Sequence, residues 1–326
     1  ELDVCSSDLH KTAGFSRLFY KKGVCRMTKR RRKEAFFGIL FALPVMLGFL
    51  IFVLSPLVIS LVLSVTDYNV IGAETHFVGM ENFKHLFDGT DIYFYKSLGV
   101  TAYYVLLSVP LQILFAFSIA LVLNANIKGR SLFRTIFYLP TIVPAVASSI
   151  VWMMMFDPDT GILNAILHVL HLPVSRWIYD EKTVIPSLAL MSLWTVGGTV
   201  VIFLAGLQNV PKELYESVEV DGGNWFHKLK SVTLPMVSPT IFFNLIMSFI
   251  GSFQVFSQAY IMTSGGPNNS TLFYVYYMYK EAFQYGNLGN ASALGWILFL
   301  IILIMTMLVF KSSAMWVFYE GEVKNK

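Results

Sequence analysis

Six stretches of the chain, 35–66, 97–127, 135–156, 183–211, 231–279 and 282–310, contain no Asp, Glu, Lys or Arg, and each is longer than 20 residues. Together they occupy more than half of the 326 residues. A helix that crosses a membrane needs roughly 20 consecutive apolar residues. A charge at its centre costs about 2.5–3.5 kcal/mol on insertion scales. Charge exclusion on this scale predicts an all-α membrane protein with six transmembrane helices. The expected spans are about 36–65, 97–123, 135–156, 184–208, 239–262 and 290–310. The stretch 231–279 could hold two helices, but Ser264-Gly265-Gly266-Pro267-Asn268-Asn269-Ser270 is a turn signal. The segment beyond the turn, Leu272 to Tyr279, is too short to cross and rich in tyrosine, a residue of the membrane–water boundary.

Composition agrees. Only 13% of residues are charged and 56% are apolar, against about 25% charged in a soluble globular protein. A net charge of +4 is too small to argue for nucleic acid. The two cysteines, Cys5 and Cys25, make no disulfide framework, and no Cys/His spacing resembles a zinc site.

The bias of Lys and Arg sets an expected orientation. Nineteen fall in the segment before residue 35, the loops 124–135 and 209–235 and the tail from Lys311; five fall in the opposite loops. Acidic residues divide evenly. Both termini are therefore expected in the cytoplasm. The expected organisation is a basic segment 1–34, a six-span domain 35–310 with an inner loop 209–235, and a tail 311–326. Residues 1–9 resemble translated adaptor sequence, and Met27 followed by Thr28-Lys29-Arg30-Arg31-Arg32-Lys33 reads as a cytoplasmic start, so 1–26 stay outside the fold reading. The first apolar stretch is too long for a signal-peptide core.

No span holds the carboxylate or histidine of a proton-driven carrier. There is no Gly-x-x-x-x-Gly-Lys-Ser/Thr loop, no Gly-x-Ser-x-Gly elbow and no His-Glu-x-x-His. Neither a catalytic site nor an ATPase of its own is expected, and no metal or cofactor. His168 and His171, three apart, could share a helix face but lack a third metal ligand; a short interfacial helix is the plainer reading. Asn268, Asn269 and Asn290 open Asn-x-Ser/Thr triplets of the kind that arise by chance.

The loop 209–235 carries the strongest pattern. Asn209, Pro211 and Glu213 are helix-start signals. At 100° per residue Leu214, Tyr215, Val218 and Gly222 share a face. Gly222-Gly223 ends that helix, and Asn224 caps a second one in which Trp225, Phe226, Leu229 and Val232 share a face. Pro235 closes the unit before the fifth span. Four acids in the first helix suit a protein partner better than an anionic lipid surface.

Glu216-Ser217-Val218, Gly222 after three residues, and Val232-Thr233-Leu234-Pro235 after nine more match the spacing Glu-Ala-Ala, three residues, Gly, nine residues, Ile-x-Leu-Pro. In this the chain resembles the EAA motif of permease subunits in binding-protein-dependent ABC importers. Ser217, Val218 and Val232 depart from the pattern conservatively. Phe77-Val78-Gly79-Met80-Glu81-Asn82-Phe83, Phe137-Tyr138-Leu139-Pro140 and Gly265-Gly266-Pro267-Asn268-Asn269-Ser270-Thr271 resemble segments of the sugar branch, in particular the first maltose-type permease without its extra N-terminal spans and insertion.

The resemblance implies a type I importer permease in a bacterial plasma (inner) membrane. Its implied partners are a second permease, an ABC ATPase dimer and an external or periplasmic sugar-binding protein. It implies that Leu214, Tyr215, Glu216, Val218, Gly222, Leu234 and Pro235 couple to the ATPase. Leu214, Tyr215 and Val218 would fill an apolar pocket, Glu216 would pair with a donor, and Gly222 would allow a turn and a close backbone approach. For the sugar path, Asn244, Ser248, Ser252 and Gln258 form one stripe of the fifth span with Gly251 among them, and Trp194, Thr195 and Thr199 of the fourth span are weaker candidates. Small polar residues also mediate helix packing. The Gly-Gly-Pro-Asn-Asn loop meets the binding protein, forms an outer gate or is a plain turn. A glycerol-phosphate importer is the alternative cargo class, disfavoured because no span offers Lys or Arg. A channel would explain the uncharged spans but not the loop.

Overall fold

The structure is a computed structural model that describes residues 29–72, 74–125 and 128–318. The expectations for residues 1–26 lie outside them, as does the second half of the tail. The chain divides into two units at Leu57 and Val58. The first contains α1 (Lys29–Phe49), which passes through a π-helical stretch (Leu50–Leu54) into α2 (Ser55–Ser64). The Ser55 N–H bonds the Leu50 carbonyl, just ahead of Pro56. Proline lacks an N–H and clashes with the carbonyl four residues back. Widening the helix by one residue accommodates it.

The second unit holds α3 (Glu81–Phe87), α4 (Ile92–Asn124), α5 (Arg130–Tyr138), α6 (Ala145–Met155), α7 (Ile162–Val169), α8 (Val184–Ser192) and α9 (Gly197–Gln208). It continues with α10 (Lys212–Val220), α11 (Trp225–Lys228), α12 (Leu234–Phe253), α13 (Tyr274–Tyr279) and α14 (Leu288–Trp316). Among the described residues, four continuous helices are long and apolar enough to cross a membrane: Phe36–Ser64, Ile92–Asn124, Trp225–Phe253 and Leu288–Trp316. Two more crossings are bent pairs. The segments Arg130–Ile142 and Ala145–Met155 meet at 102°, and Val184–Thr195 and Gly197–Gln208 at 53°.

The third and fourth spans are thus broken where the sequence predicts single helices. The first break falls at Val143, whose ψ of 127° is extended. The residue before a proline is pushed out of the helical region, and Pro144 is next in the chain. At the second break Gly197 meets the end of α5: a Cβ there would lie 2.2 Å from the Phe137 carbonyl oxygen. The fifth span also differs. It starts at Trp225, because the π-helical stretch Leu229–Thr233 carries the helix through Pro235, with Leu234 N–H bonded to the Leu229 carbonyl. Pro235 therefore lies inside a continuous helix and does not close the loop. The helix ends at Phe253, and Gln258 stands beyond a non-helical break.

Packing in lipid relies on close contact and small residues rather than on water exclusion. Ala116 and Ala120, one turn apart on α4, are fully buried. They belong to a core cluster with Val200, Phe203, Leu207, Val232 and Val237. A second cluster gathers Phe94, Tyr104, Trp152, Leu188, Phe273, Tyr274 and Leu294. α4 runs through both and packs along α8, α9 and α12.

The segment Leu272–Tyr277 belongs to this core: Leu272, Phe273, Tyr274, Tyr276 and Tyr277 are buried. Tyr274 donates from its hydroxyl to the Leu294 carbonyl at 3.0 Å, and its N–H bonds Thr101 Oγ1 at 2.9 Å. Tyr277 donates to the buried Asp91 carboxylate at the start of α4. Asn82, from the Phe77–Phe83 segment, donates to the Ser64 and Thr66 carbonyls at 2.8 Å each and so closes the end of α2. His171 falls beyond the end of α7 with φ 54°, so it shares no helix face with His168.

Candidate functional site

Two features stand out: a polar cavity among α4, α6, α8, α9 and α12, and a knob built from α10 and α11.

The cavity measures about 420 Å³, within the range of small-molecule sites. Its lining includes Tyr104 and Gln112 of α4, Ser148 of α6, Ser192, Thr195 and Thr199 around the fourth-span bend, and Ser248, Gly251, Ser252 and Gln258 from the fifth span. None of the lining residues is charged. Ser108 and Ser252 hydroxyls, 3.4 Å apart, tie α4 to α12 beside it. Hydroxyl and amide groups around a phenol offer donors and acceptors to an uncharged polar ligand, and no fixed charge to an ion.

Five predicted path residues are brought together here: Ser248, Ser252, Gln258, Thr195 and Thr199. Two are not. Asn244 is buried and donates to the Thr240 carbonyl of its own helix at 3.0 Å, so it serves α12 internally. Trp194 packs edge-on against Trp152, ring centres 6.1 Å apart, as a core residue. Gln258 arrives by a route other than the one its spacing implied, since the helix breaks between it and Ser252. Tyr104 and Gln112 were missed. They stand eight residues apart with Ser108 between, a polar stripe on α4 of the same kind as that on α12.

The knob is fixed to the body by its own inner face. α10 ends in a glycine cap: Gly222 has φ 76°, its N–H bonds the Glu219 carbonyl at 3.0 Å, and the Gly223 N–H bonds the Val218 carbonyl at 2.8 Å. Asn224 then caps α11 by accepting from the His227 N–H at 3.1 Å. Lys228 pairs with Glu219 across the turn. Tyr215 and Val218 turn inward onto the cluster of Val232 and Val237, and the Tyr215 hydroxyl lies 3.2 Å from Thr233 Oγ1.

Part of the expected face is occupied within the chain: Tyr215 and Val218 are half-buried and pack against this cluster. The face predicted for α11 also divides, with Val232 buried and Trp225 and Phe226 pointing out. The outward set is Leu214 (37% exposed), Val220 (88%), Trp225 (67%) and Phe226 (60%), beside exposed Glu213 and Glu216. Leu234 is partly exposed and Pro235 half-buried on the continuous helix. Gly222 provides the turn, and within the chain nothing lies near its Cβ position; at Gly223 a Cβ would lie 2.9 Å from the Val218 carbonyl oxygen.

Residues 112–317 match the family described as binding-protein-dependent transport system inner membrane component. The chain belongs to this family. It is 40% identical over 306 residues to the probable ABC transporter permease protein YesP of Bacillus subtilis, covering 92% of this chain and 98% of that one. It is 31% identical to the arabinooligosaccharides transport system permease protein AraP of the same organism, over 96% of this chain and 95% of that one. The fold matches a chain of the bacterial alginate ABC transporter, solved in complex with an alginate pentasaccharide-bound periplasmic protein. That match has a TM-score of 0.76 at 21% identity and covers 87% of this chain and 96% of that chain. The knob and most of the cavity lining fall within the family match.

Proposed function

We propose that this permease forms half of the membrane path for a neutral sugar or oligosaccharide, in a bacterial plasma membrane with both termini in the cytoplasm. A second permease completes the path, an external binding protein delivers the sugar, and a separate ATPase dimer supplies the energy. The observation that carries the cargo class is the polar cavity with no charged residue in its lining. A glycerol phosphate would leave its anion unpaired there, at the cost of burying an uncompensated charge.

Ser192, Thr195, Thr199, Ser248, Ser252 and Gln258 bond sugar hydroxyls, and Tyr104 offers an aromatic face. The knob is the coupling element. Trp225, Phe226, Val220 and Leu214 enter the ATPase, with Glu216 bonding a donor at its rim. Tyr215 and Val218 transmit the displacement, because they join α10 to the helix that carries Ser248 and Ser252. ATP binding draws the knobs of the two permeases together and opens the cavity outward; hydrolysis resets it.

The test is ATP hydrolysis by the purified assembly, stimulated by binding protein with a panel of neutral sugars and glycerol phosphate. Stimulation by one neutral sugar class names the cargo. Stimulation by glycerol phosphate alone overturns the neutral-sugar reading.

A further inference from the structure

Among the described residues, two arginines of α5, Arg130 and Arg134, meet no carboxylate. With its amide oxygen turned toward them, Gln208 at the end of α9 accepts from the Nη2 groups of both Arg130 and Arg134, at 2.7 Å each. Two guanidinium groups thus converge on one uncharged acceptor. Arginine keeps its proton in proteins, so the like charges repel at close range. The Nε of each is buried with no hydrogen-bond partner. Lys128, exposed, adds a third cation two residues before Arg130.

An apolar groove of about 410 Å³ runs between α4 and the same helix α5. Its walls include Phe115, Ile119 and Val122 of α4 and Phe133 and Phe137 of α5, with Ser118 among them. Phe133 precedes Arg134 in the chain, so the cations and the groove share one short helix. The α4 wall extends from Phe115 to Leu123, about 12 Å at 1.5 Å per residue.

We propose that this corner binds an anionic phospholipid, with its phosphate on Arg130 and Arg134 and one acyl chain in the groove. Guanidinium matches phosphate in charge and geometry, and basic pockets between membrane helices hold such headgroups. The loop 124–135 also belongs to the side richer in Lys and Arg, the side that faces an anionic leaflet. A carboxylate from a protein partner would neutralise the arginines but leave the groove empty, so the two features together favour a lipid.

The experiment is native mass spectrometry of the full chain with the subunits that purify with it, exposed to phosphatidylglycerol or phosphatidylcholine. Wild type is expected to retain phosphatidylglycerol about tenfold better, a difference of about 1.4 kcal/mol. Arg130→Gln with Arg134→Gln loses that preference. Ser118→Trp, which fills the groove and leaves the cations intact, loses retention as well, and it keeps the proposal testable if the double-arginine variant does not fold. Equal retention of the two lipids by wild type overturns the proposal. So does full retention by Ser118→Trp, because the acyl chain then does not lie in the groove.

Discussion

Single residues hold the helices at distances that leave no slack. Gly197 is the sharpest case, since its missing Cβ makes room for a backbone carbonyl of α5. Backbone cannot swing aside as a side-chain tip does. Gly197→Ala is expected to cost about 3 kcal/mol, the upper range for overpacking, seen as a lower melting temperature in detergent. Gly198→Ala is the control: nothing lies within 4 Å of its Cβ position, so its melting temperature should match wild type. Tyr277 makes a second residue-scale case. Burial, and then its bond to Asp91, push its phenol well above the usual range, so it stays a hydroxyl donor across any working pH. Tyr277→Phe leaves the buried Asp91 carboxylate without that donor. The expected loss is about 1–3 kcal/mol, read by the same melting curves. A loss below a few tenths would mean that Asp91 finds another partner.

At the scale of elements, the knob separates two jobs that periodicity merged. Tyr215 and Val218 hold α10 to the body, and Trp225 and Phe226 stand out from it. Exposed aromatic side chains of this size mark binding sites and dominate interface energies. Trp225→Ala is expected to weaken association with the ATPase by about 2 kcal/mol with no change in the melting temperature of the chain alone. Tyr215→Ala should do the reverse, lowering the melting temperature first. Pull-down with titrated ATPase and a melting curve for each variant separate the two outcomes.

Helical spans were legible in the sequence because lipid excludes charge, and that exclusion leaves six charge-free stretches, each longer than 20 residues. Their breaks were less so, because Val143 and Gly197 sit in sequence as apolar as any around them. Pro144 was the available signal for the first break. For the second, the reason is a carbonyl of a different helix, which no local pattern contains. The inward turn of Tyr215 and Val218 has the same origin: spacing shows that they share a face, but not what that face meets. Asn244 kept its place on a polar stripe and still missed the cavity, because its amide is taken by its own helix.

Across the whole molecule, the cavity and the knob are joined by one continuous helix, Trp225–Phe253. Trp225 and Phe226 lie at its start, and Ser248 and Ser252 near its end. Under the proposed function that helix would be the route by which the ATPase acts on the cavity. Variants at the two ends should therefore fail differently. Gln258→Leu or Thr195→Val removes a cavity partner and is expected to raise the sugar concentration needed for half-maximal uptake about tenfold, some 1.4 kcal/mol. Basal ATP hydrolysis stays. Trp225→Ala loses hydrolysis and uptake together.

The most direct measurement is accumulation of labelled sugar in proteoliposomes that carry the assembled complex, with binding protein outside and ATP sealed inside or left out. The account predicts uptake above the external concentration only when both binding protein and ATP are present. Sugar that merely equilibrates across the membrane, at the same rate without ATP, would contradict it and mark the chain as a channel.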